Sequence, residues 1–115
     1  TPGAHINAMG ADSPGKQELD PAILLKARII ADSVSQALVY GESQSAVREG
    51  LLPKEKILGH IGEVVAGTLT GRASEEEITV FDGTGLALED AAVAYMAYNK
   101  ARRATPGAYQ TLSLI

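Results

Sequence analysis

Residues 78–85 have the sequence ITVFDGTG and decide the fold class, because they describe a short apolar strand that ends at an aspartate and turns directly towards a helix. The predicted strand covers residues 78–81, and the predicted helix covers residues 84–103. Acidic residues lie near the start of this helix and basic residues near its end, which matches the helix dipole. A strand that leads into a helix is the unit from which α/β proteins are built.

The residues before this stretch repeat the same alternation. Residues 4–9 predict a short strand with both faces covered, because they are mostly apolar and are bounded by glycines. Residues 10–16 have the composition of a loop. Asp20, followed by Pro21, predicts the start of a short helix, and residues 28–31 predict a second strand.

Two longer helices are predicted between the second strand and the last one. Asp32 and Ser33 can cap a helix that continues to about Glu49, where Gly50 ends it. A further helix is predicted from Pro53, because the apolar residues that follow recur at helical spacing and form one stripe. This stripe consists of Ile57, Leu58, Ile61, Val64 and Val65.

These elements predict an α/β fold, namely a partial Rossmann-like, doubly wound sheet of about three parallel strands with helices packed on it. A complete doubly wound domain has about six strands, so we expect residues 1–104 to form the second half of a dinucleotide-binding domain. The chain has no initiator Met and enters a strand at once, which favours a piece of a longer protein. Residues 105–115 form a C-terminal tail that these patterns leave unplaced.

Composition argues against several classes of function. The formal net charge of -4, the single Phe, the absence of Trp and the lack of a long basic run argue against a nucleic-acid partner. The chain has no cysteine, and no apolar run approaches ~20 residues, so we expect a cytoplasmic protein without a membrane partner. His5 and His60 form no local metal-ligand spacing, and no metal site is predicted.

The loop at residues 10–16, GADSPGK, is the first candidate site, because ligands of parallel α/β sheets bind beyond the carboxyl ends of the strands. Asp12 either forms a turn together with Ser13 or serves as a proton donor and acceptor with a tuned pKa, and the residues leave both readings open. The loop approaches the pattern of a phosphate-binding loop. However, Pro14 has no N–H group and Gln17 offers no hydroxyl for Mg²⁺, so nucleotide hydrolysis is not supported.

The turn Gly83-Thr84-Gly85 is the second candidate. Its glycines let a ligand approach the backbone, and free N–H groups in front of a helix would favour a polar or anionic partner. As a dinucleotide fingerprint the turn is weak, because Leu88 occupies the third glycine position. A tight connection between strand and helix explains the spacing equally well.

Taken together, these segments resemble one family. The matching blocks are residues 3–20 (GAHINAMGADSPGKQELD), 32–33 (DS), 62–67 (GEVVAG), 77–82 (EITVFD), 84–87 (TGLA) and 89–90 (ED). In this order and with similar gaps they resemble the ornithine cyclodeaminase and mu-crystallin family, which includes alanine dehydrogenases and cyclic imine reductases. The DSPGK of residues 12–16 is closer to the cyclodeaminases and alanine dehydrogenases than to mu-crystallin.

The resemblance implies a two-domain enzyme, usually a dimer, whose Rossmann-like domain binds NAD or NADP. It implies hydride transfer at the α-carbon of an amino acid or cyclic imine substrate, and in the cyclodeaminases, which are lyases, ammonia is released. The family's pyrophosphate turn and its substrate-binding Lys and Arg residues would precede this chain, so we expect the isolated chain to be inactive. The alternative is a non-catalytic half-domain that serves dimerisation or interaction, and we expect a homo-oligomer.

The resemblance also implies roles for particular residues. Asp12 matches the family's catalytic acid-base. Met9 and its neighbours match the wall beside the nicotinamide, and Gly83 stands where the family often has a serine. The cofactor-binding residues implied in this way are Asn7, Met9, Gly10, Lys16, Gly83 and Thr84.

Overall fold

The computed structural model describes residues 1–104, 109–110 and 112. The predicted tail at 105–115 therefore lies outside the described residues, apart from residues 109, 110 and 112. The chain divides into one compact unit of residues 1–85 and a second unit of residues 86–115. Within the described residues, no helix has the length and apolar character needed to cross a bilayer.

A parallel four-stranded sheet forms the centre of the first unit. Its strands are β1 (His5–Ala8), β2 (Arg28–Ala31), β3 (Ile57–His60) and β4 (Thr79–Asp82). Their order across the sheet is β1-β4-β2-β3, and every pair is parallel. The prediction of an α/β fold with a parallel sheet is confirmed, and the described sheet has one strand more than the three that were predicted.

Four short helices connect the strands: α1 (Pro21–Lys26), α2 (Val34–Ala37), α3 (Gln44–Arg48) and α4 (Ile61–Val65). The start of α1 agrees with its prediction, because the Asp20 side chain caps it by accepting the N–H of Ala22.

The single helix predicted from Ser33 to Glu49 is wrong, because the structure has α2 and α3 with an irregular segment between them. The N–H groups of Glu42 and Ser43 donate to the carboxylate of Asp82 instead of to helical carbonyls. The helical hydrogen-bond ladder is therefore interrupted at these two residues.

The helix predicted from Pro53 is also wrong. A 3-10 turn, Lys54–Lys56, leads into β3, which contains the first two residues of the predicted stripe, and only the last three lie in the helix α4. Ile57 pairs with Ile29 of β2 and is buried, and burial then alternates along β3 as it does in a strand. A stripe at helical spacing and a short strand followed by a helix place apolar residues at similar positions here, so periodicity alone favoured the wrong element.

The core lies on one face of the sheet. Ile29 is in register with both Val80 and Ile57, so their side chains share this face. The buried cluster consists of Ala8, Leu24, Ala27, Ile29, Ala31, Ala37, Ala46, Leu52, Ile57 and Val80. On β1, which is an edge strand, His5 and Asn7 are exposed, so the expectation that both faces of this strand are covered is wrong.

The second unit contains the helix α5 (Ala87–Arg102). It begins three residues later than predicted, because the N–H groups of Thr84 and Gly85 bond to Asp32 and the left-handed φ of Gly85 is +82°. Tyr95 and Met96 of this helix are both exposed.

Close packing at Gly41 generates a stability prediction. A Cβ at this position would collide with the Asp82 carboxylate and lie 2.7 Å from the Cα of Ala37, whereas a Cβ at Gly62 in α4 would meet open space. We expect Gly41→Ala to lower the free energy of unfolding by ~1–3 kcal/mol, the usual cost of overpacking. Gly62→Ala should leave it unchanged or raise it by about 0.5–1 kcal/mol, as alanine does within a helix. Urea unfolding measures both, and equal stabilities of the two variants would contradict this account.

Candidate active site

The carboxyl ends of three strands meet at one edge of the sheet. Ala8, Asp82 and Ala31 end β1, β4 and β2 and stand in register with one another. The segments that follow these residues therefore begin side by side, and they carry most of the residues that the sequence predicted for a site. This edge of a parallel sheet is where α/β proteins bind their ligands.

Asp32 organises the turn after β4. Its side chain is buried, and it accepts the N–H of Thr84 at 2.7 Å and the N–H of Gly85 at 2.8 Å. The hydroxyl of Thr84 also donates to it at 3.0 Å, and the N–H of Gly83 donates to the carbonyl of Ala8. The expectation of free N–H groups at this turn is therefore wrong, because an internal carboxylate occupies the position that an anionic ligand would take.

Met9 and Gly83 come together at the same edge. Gly83 is buried, and a Cβ on it would collide with the sulfur of Met9 and lie 3.0 Å from the ring of Phe81. The Met9 side chain is nevertheless 54% exposed. Gly83 is thus the residue that lets Met9 lie flat against the strand end, and the two form an apolar surface that we call the Met9 surface.

The loop at residues 10–16, which we call the Asp12 loop, carries an exposed ion pair. The Lys16 Nζ lies 2.5 Å from the Asp12 Oδ1, and both side chains are about half exposed, at 53% and 54%. The Ser13 hydroxyl donates to the same carboxylate oxygen at 3.1 Å. The hydrogen bond from Lys16, followed by that from Ser13, lowers the pKa of Asp12 below its usual value. Asp12 is therefore ionised at neutral pH and in this state accepts a proton rather than donating one.

A short segment at residues 41–44, GESQ, forms hydrogen bonds with the Asp12 loop and with the residues that follow it. We call it the 41–44 segment. It is anchored by Asp82, whose fully buried carboxylate accepts the N–H of Glu42 at 2.8 Å, the N–H of Ser43 at 2.9 Å and the Ser43 hydroxyl at 2.7 Å. Burial raises the pKa of Asp82 despite these three hydrogen bonds.

From this anchor, two side chains of the 41–44 segment reach towards the first loop. The fully buried carboxylate of Glu42 accepts the N–H of Leu19 at 2.6 Å and the N–H of Glu18 at 2.9 Å. The side-chain amide of Gln44 bonds to the backbone of the Asp12 loop itself. Sequence analysis missed these residues. The signal for them was a glycine followed by three polar residues inside a predicted helix, which is unusual where a helix faces a core.

The remaining predicted residues lie around these groups. Asn7 is exposed, and its Oδ1 lies 3.0 Å from Nε2 of His5. A Cβ on Gly10 would meet the carboxylate of Glu18, so Gly10 marks a close approach between the start of the Asp12 loop and Glu18. Within the described part of the chain, no cluster of three or more residues could hold a metal ion.

Comparison with known proteins places this arrangement in a family. Residues 1–105 match the model of the ornithine cyclodeaminase/mu-crystallin family. The chain belongs to this family. The resemblance inferred from the sequence blocks is thereby confirmed.

Alanine dehydrogenase and an imine reductase are among the proteins that the chain resembles. It is 54% identical to the alanine dehydrogenase of Archaeoglobus fulgidus over 99 residues, which are 86% of this chain and 31% of that protein. A solved archaeal alanine dehydrogenase dimer with bound NAD superposes with a TM-score of 0.84 and 47% identity, over 99% of this chain and 35% of that chain.

The Δ1-pyrroline-2-carboxylate reductase of Thermococcus litoralis, in complex with NADH and L-proline, gives a TM-score of 0.81 at 35% identity. The match covers 88% of this chain and 32% of that one. The chain thus spans about a third of the length of these relatives.

The Asp12–Lys16 pair predicts a titration that can be measured directly. Because Lys16 and Ser13 hold the carboxylate in its charged form, the pKa of Asp12 should lie below 3.8, and Lys16→Ala should raise it. Carbon-13 NMR of the side-chain carboxyl follows this titration. Since the folded-state pKa is lowered, the pair stabilises the fold at pH values above 3.8, and this contribution is lost as the pH falls through the pKa of Asp12. Lys26→Ala, which removes an exposed lysine of α1, is the control and should leave the titration of Asp12 unchanged.

Proposed function

We propose that this chain is part of a nicotinamide-dependent enzyme that transfers hydride at the α-carbon of an amino acid or cyclic imine. The observation that carries the proposal is the ionised Asp12 on the loop after β1, at the same sheet edge as the apolar Met9 surface. An acid-base group and an apolar wall at one edge are what hydride transfer to or from a carbon next to nitrogen requires. The family and the relatives with bound NAD and NADH support the proposal.

The residues at the edge fit a nicotinamide ring better than they fit a phosphate group. The Met9 surface offers an apolar contact for a flat ring, and the N–H groups of Thr84 and Gly85 already bond to Asp32. We propose that Asn7, Met9, Gly10, Gly83 and Thr84 surround the nicotinamide end of NAD or NADP, and that Lys16 contacts the cofactor. We further propose that residues 1–104 are the second half of the cofactor-binding domain.

When bound, the cofactor supplies the acceptor or donor of hydride. In the oxidative direction the α-carbon loses its hydrogen as hydride while the substrate nitrogen loses a proton, which the Asp12 carboxylate accepts. In the reductive direction the protonated Asp12 returns that proton to nitrogen. Because Lys16 lowers the pKa of Asp12, the carboxylate is charged in the free site and can accept this proton.

A second candidate function is a half-domain that serves assembly. The observation that favours it is α5, on which no described residue is buried and on which Val93, Tyr95 and Met96 are exposed. Apolar groups of this size are usually covered in the working protein. We propose a homo-oligomer under either function, and the dimeric alanine dehydrogenase supports this.

Substitution of Asp12 and Lys16 in the full-length protein tests the catalytic proposal. A positioned acid-base contributes ~10²- to 10⁴-fold in rate, so Asp12→Asn should lower kcat by about that factor while the Kd of the cofactor changes little. Lys16→Ala should do the reverse and weaken cofactor binding more than it slows the bound complex. Stopped-flow assays with alanine or a cyclic imine, together with titrations of NAD and NADP, separate the two effects.

Asp20→Asn is the matched control, since asparagine keeps the cap of α1 and Asp20 lies outside the Asp12 loop. If Asp12→Asn lowered the melting temperature and left kcat intact, Asp12 would be a turn-forming residue and the second candidate function would be favoured.

A further inference from the structure

One side chain from another element holds the interior of the Asp12 loop. Gln44 is the first residue of α3 and is only 3% exposed. Its Oε1 accepts the N–H of Gly15 at 2.9 Å. Its Nε2 lies 3.0 Å from the carbonyl oxygen of Ser13 and 3.3 Å from that of Lys16.

Only an amide suits this position. The oxygen of Gln44 faces an N–H group and the nitrogen faces carbonyl oxygens, so the orientation of the amide is determined by its partners. The same nitrogen also lies 3.0 Å from the carbonyl oxygen of Gly41, a contact within the 41–44 segment that helps to hold the amide in place. A carboxylate here would face several carbonyl oxygens without a hydrogen to donate, and an apolar side chain would satisfy none of the partners.

Of the three loop residues that Gln44 contacts, Ser13 and Gly15 lie between the two members of the ion pair, and the third is Lys16 itself. Asp12 and Lys16 are four residues apart but do not belong to a helix, so no helical ladder fixes their separation. The backbone hydrogen bond in this part of the loop, from the N–H of Lys16 to the carbonyl oxygen of Ser13, is long at 3.3 Å. Gln44 therefore fixes the backbone of a loop whose two charged side chains remain exposed.

We infer that Gln44 is a positioning residue that holds Asp12 and Lys16 at their working separation at the sheet edge. The inference rests on the proposed function for the role of Asp12 in the reaction, but the placement of the loop can be tested without it. Gln44 touches neither charged side chain through its own side chain, and it acts through the backbone between them.

The test uses Gln44→Met in the protein as its gene encodes it, because methionine keeps the length and lack of branching of glutamine and removes its hydrogen bonds. We expect the Gly15 N–H to exchange faster with solvent, and the pKa of Asp12 to rise towards 3.8 as Lys16 loses its fixed distance. We also expect kcat to fall by roughly 10²-fold, the cost of a small misplacement, with a smaller change in KM. The acid limb of the kcat/KM profile for amino acid oxidation should move to higher pH together with the pKa of Asp12.

Ile57→Ala is the matched control for a general loss of stability. Ile57 is buried in β3, and its truncation should lower the melting temperature without changing the Asp12 titration or the Gly15 exchange. If Gln44→Met behaves like this control, with both loop measurements unchanged, Gln44 contributes to stability alone and the inference is overturned. If both loop measurements change while neither Gln44→Met nor Asp12→Asn affects kcat, the placement of the loop is supported and the proposed function alone is refuted.

A measurement on the unmodified protein keeps the inference testable if Gln44→Met does not fold. The Gly15 N–H lies on an exposed residue, and its acceptor is the side chain of Gln44. We expect it to exchange at least about ten times more slowly than in a free peptide of residues 10–20. Exchange at the rate of the free peptide would show that Gln44 does not hold the loop, and the inference would be overturned.

Discussion

The buried carboxylate of Asp82 is the interaction on which the rest of the sheet edge depends. It ends the central strand β4 and accepts three hydrogen bonds from the 41–44 segment. Burying a carboxylate is costly, and burial here raises the pKa of Asp82, so the arrangement persists only because its hydrogen-bond partners are held in place. Glu42 and Gln44 then extend the support from this anchor to the Asp12 loop.

Asp32 and Asp82 act as a reciprocal pair. Asp32 directly follows β2 and binds the turn after β4, whereas Asp82 ends β4 and binds the segment that follows α2. Each aspartate thus forms hydrogen bonds with the segment that follows the neighbouring strand. The two contacts fix the paths of two connecting segments, which the pairing of the strands alone would leave free.

Much of the fold could be predicted from the sequence. Local signals were sufficient for β2, β4, the cap of α1 and the parallel α/β class, because each depends on residues close together in the chain. The break between α2 and α3 could not be predicted, because it depends on Asp82, which lies 40 residues beyond Glu42. β3 was missed because its four residues sit within a longer apolar pattern that also fits a helix, and only pairing with β2 decides between the two.

The predicted site residues show the same division between local and distant causes. Asp12, Lys16 and Gly83 could be selected from the sequence because they lie in segments that follow strands, and Met9 could be selected because of the family resemblance. Glu42 and Gln44 could not, since a buried polar residue reveals its purpose only through its partners, and these lie in another loop. The sequence also predicted unpaired N–H groups after β4, whereas in the structure the N–H groups of Thr84 and Gly85 donate to the carboxylate of Asp32.

That last contact has a consequence for the kind of molecule that this edge can admit. Backbone amides that point out of a strand end normally make the edge of an α/β sheet electropositive. Here Asp32, Glu42 and Asp82, all buried, accept amides from the segments that follow β4, β1 and α2. These amides are therefore not available to an anionic ligand, and the edge is better suited to a neutral, apolar group.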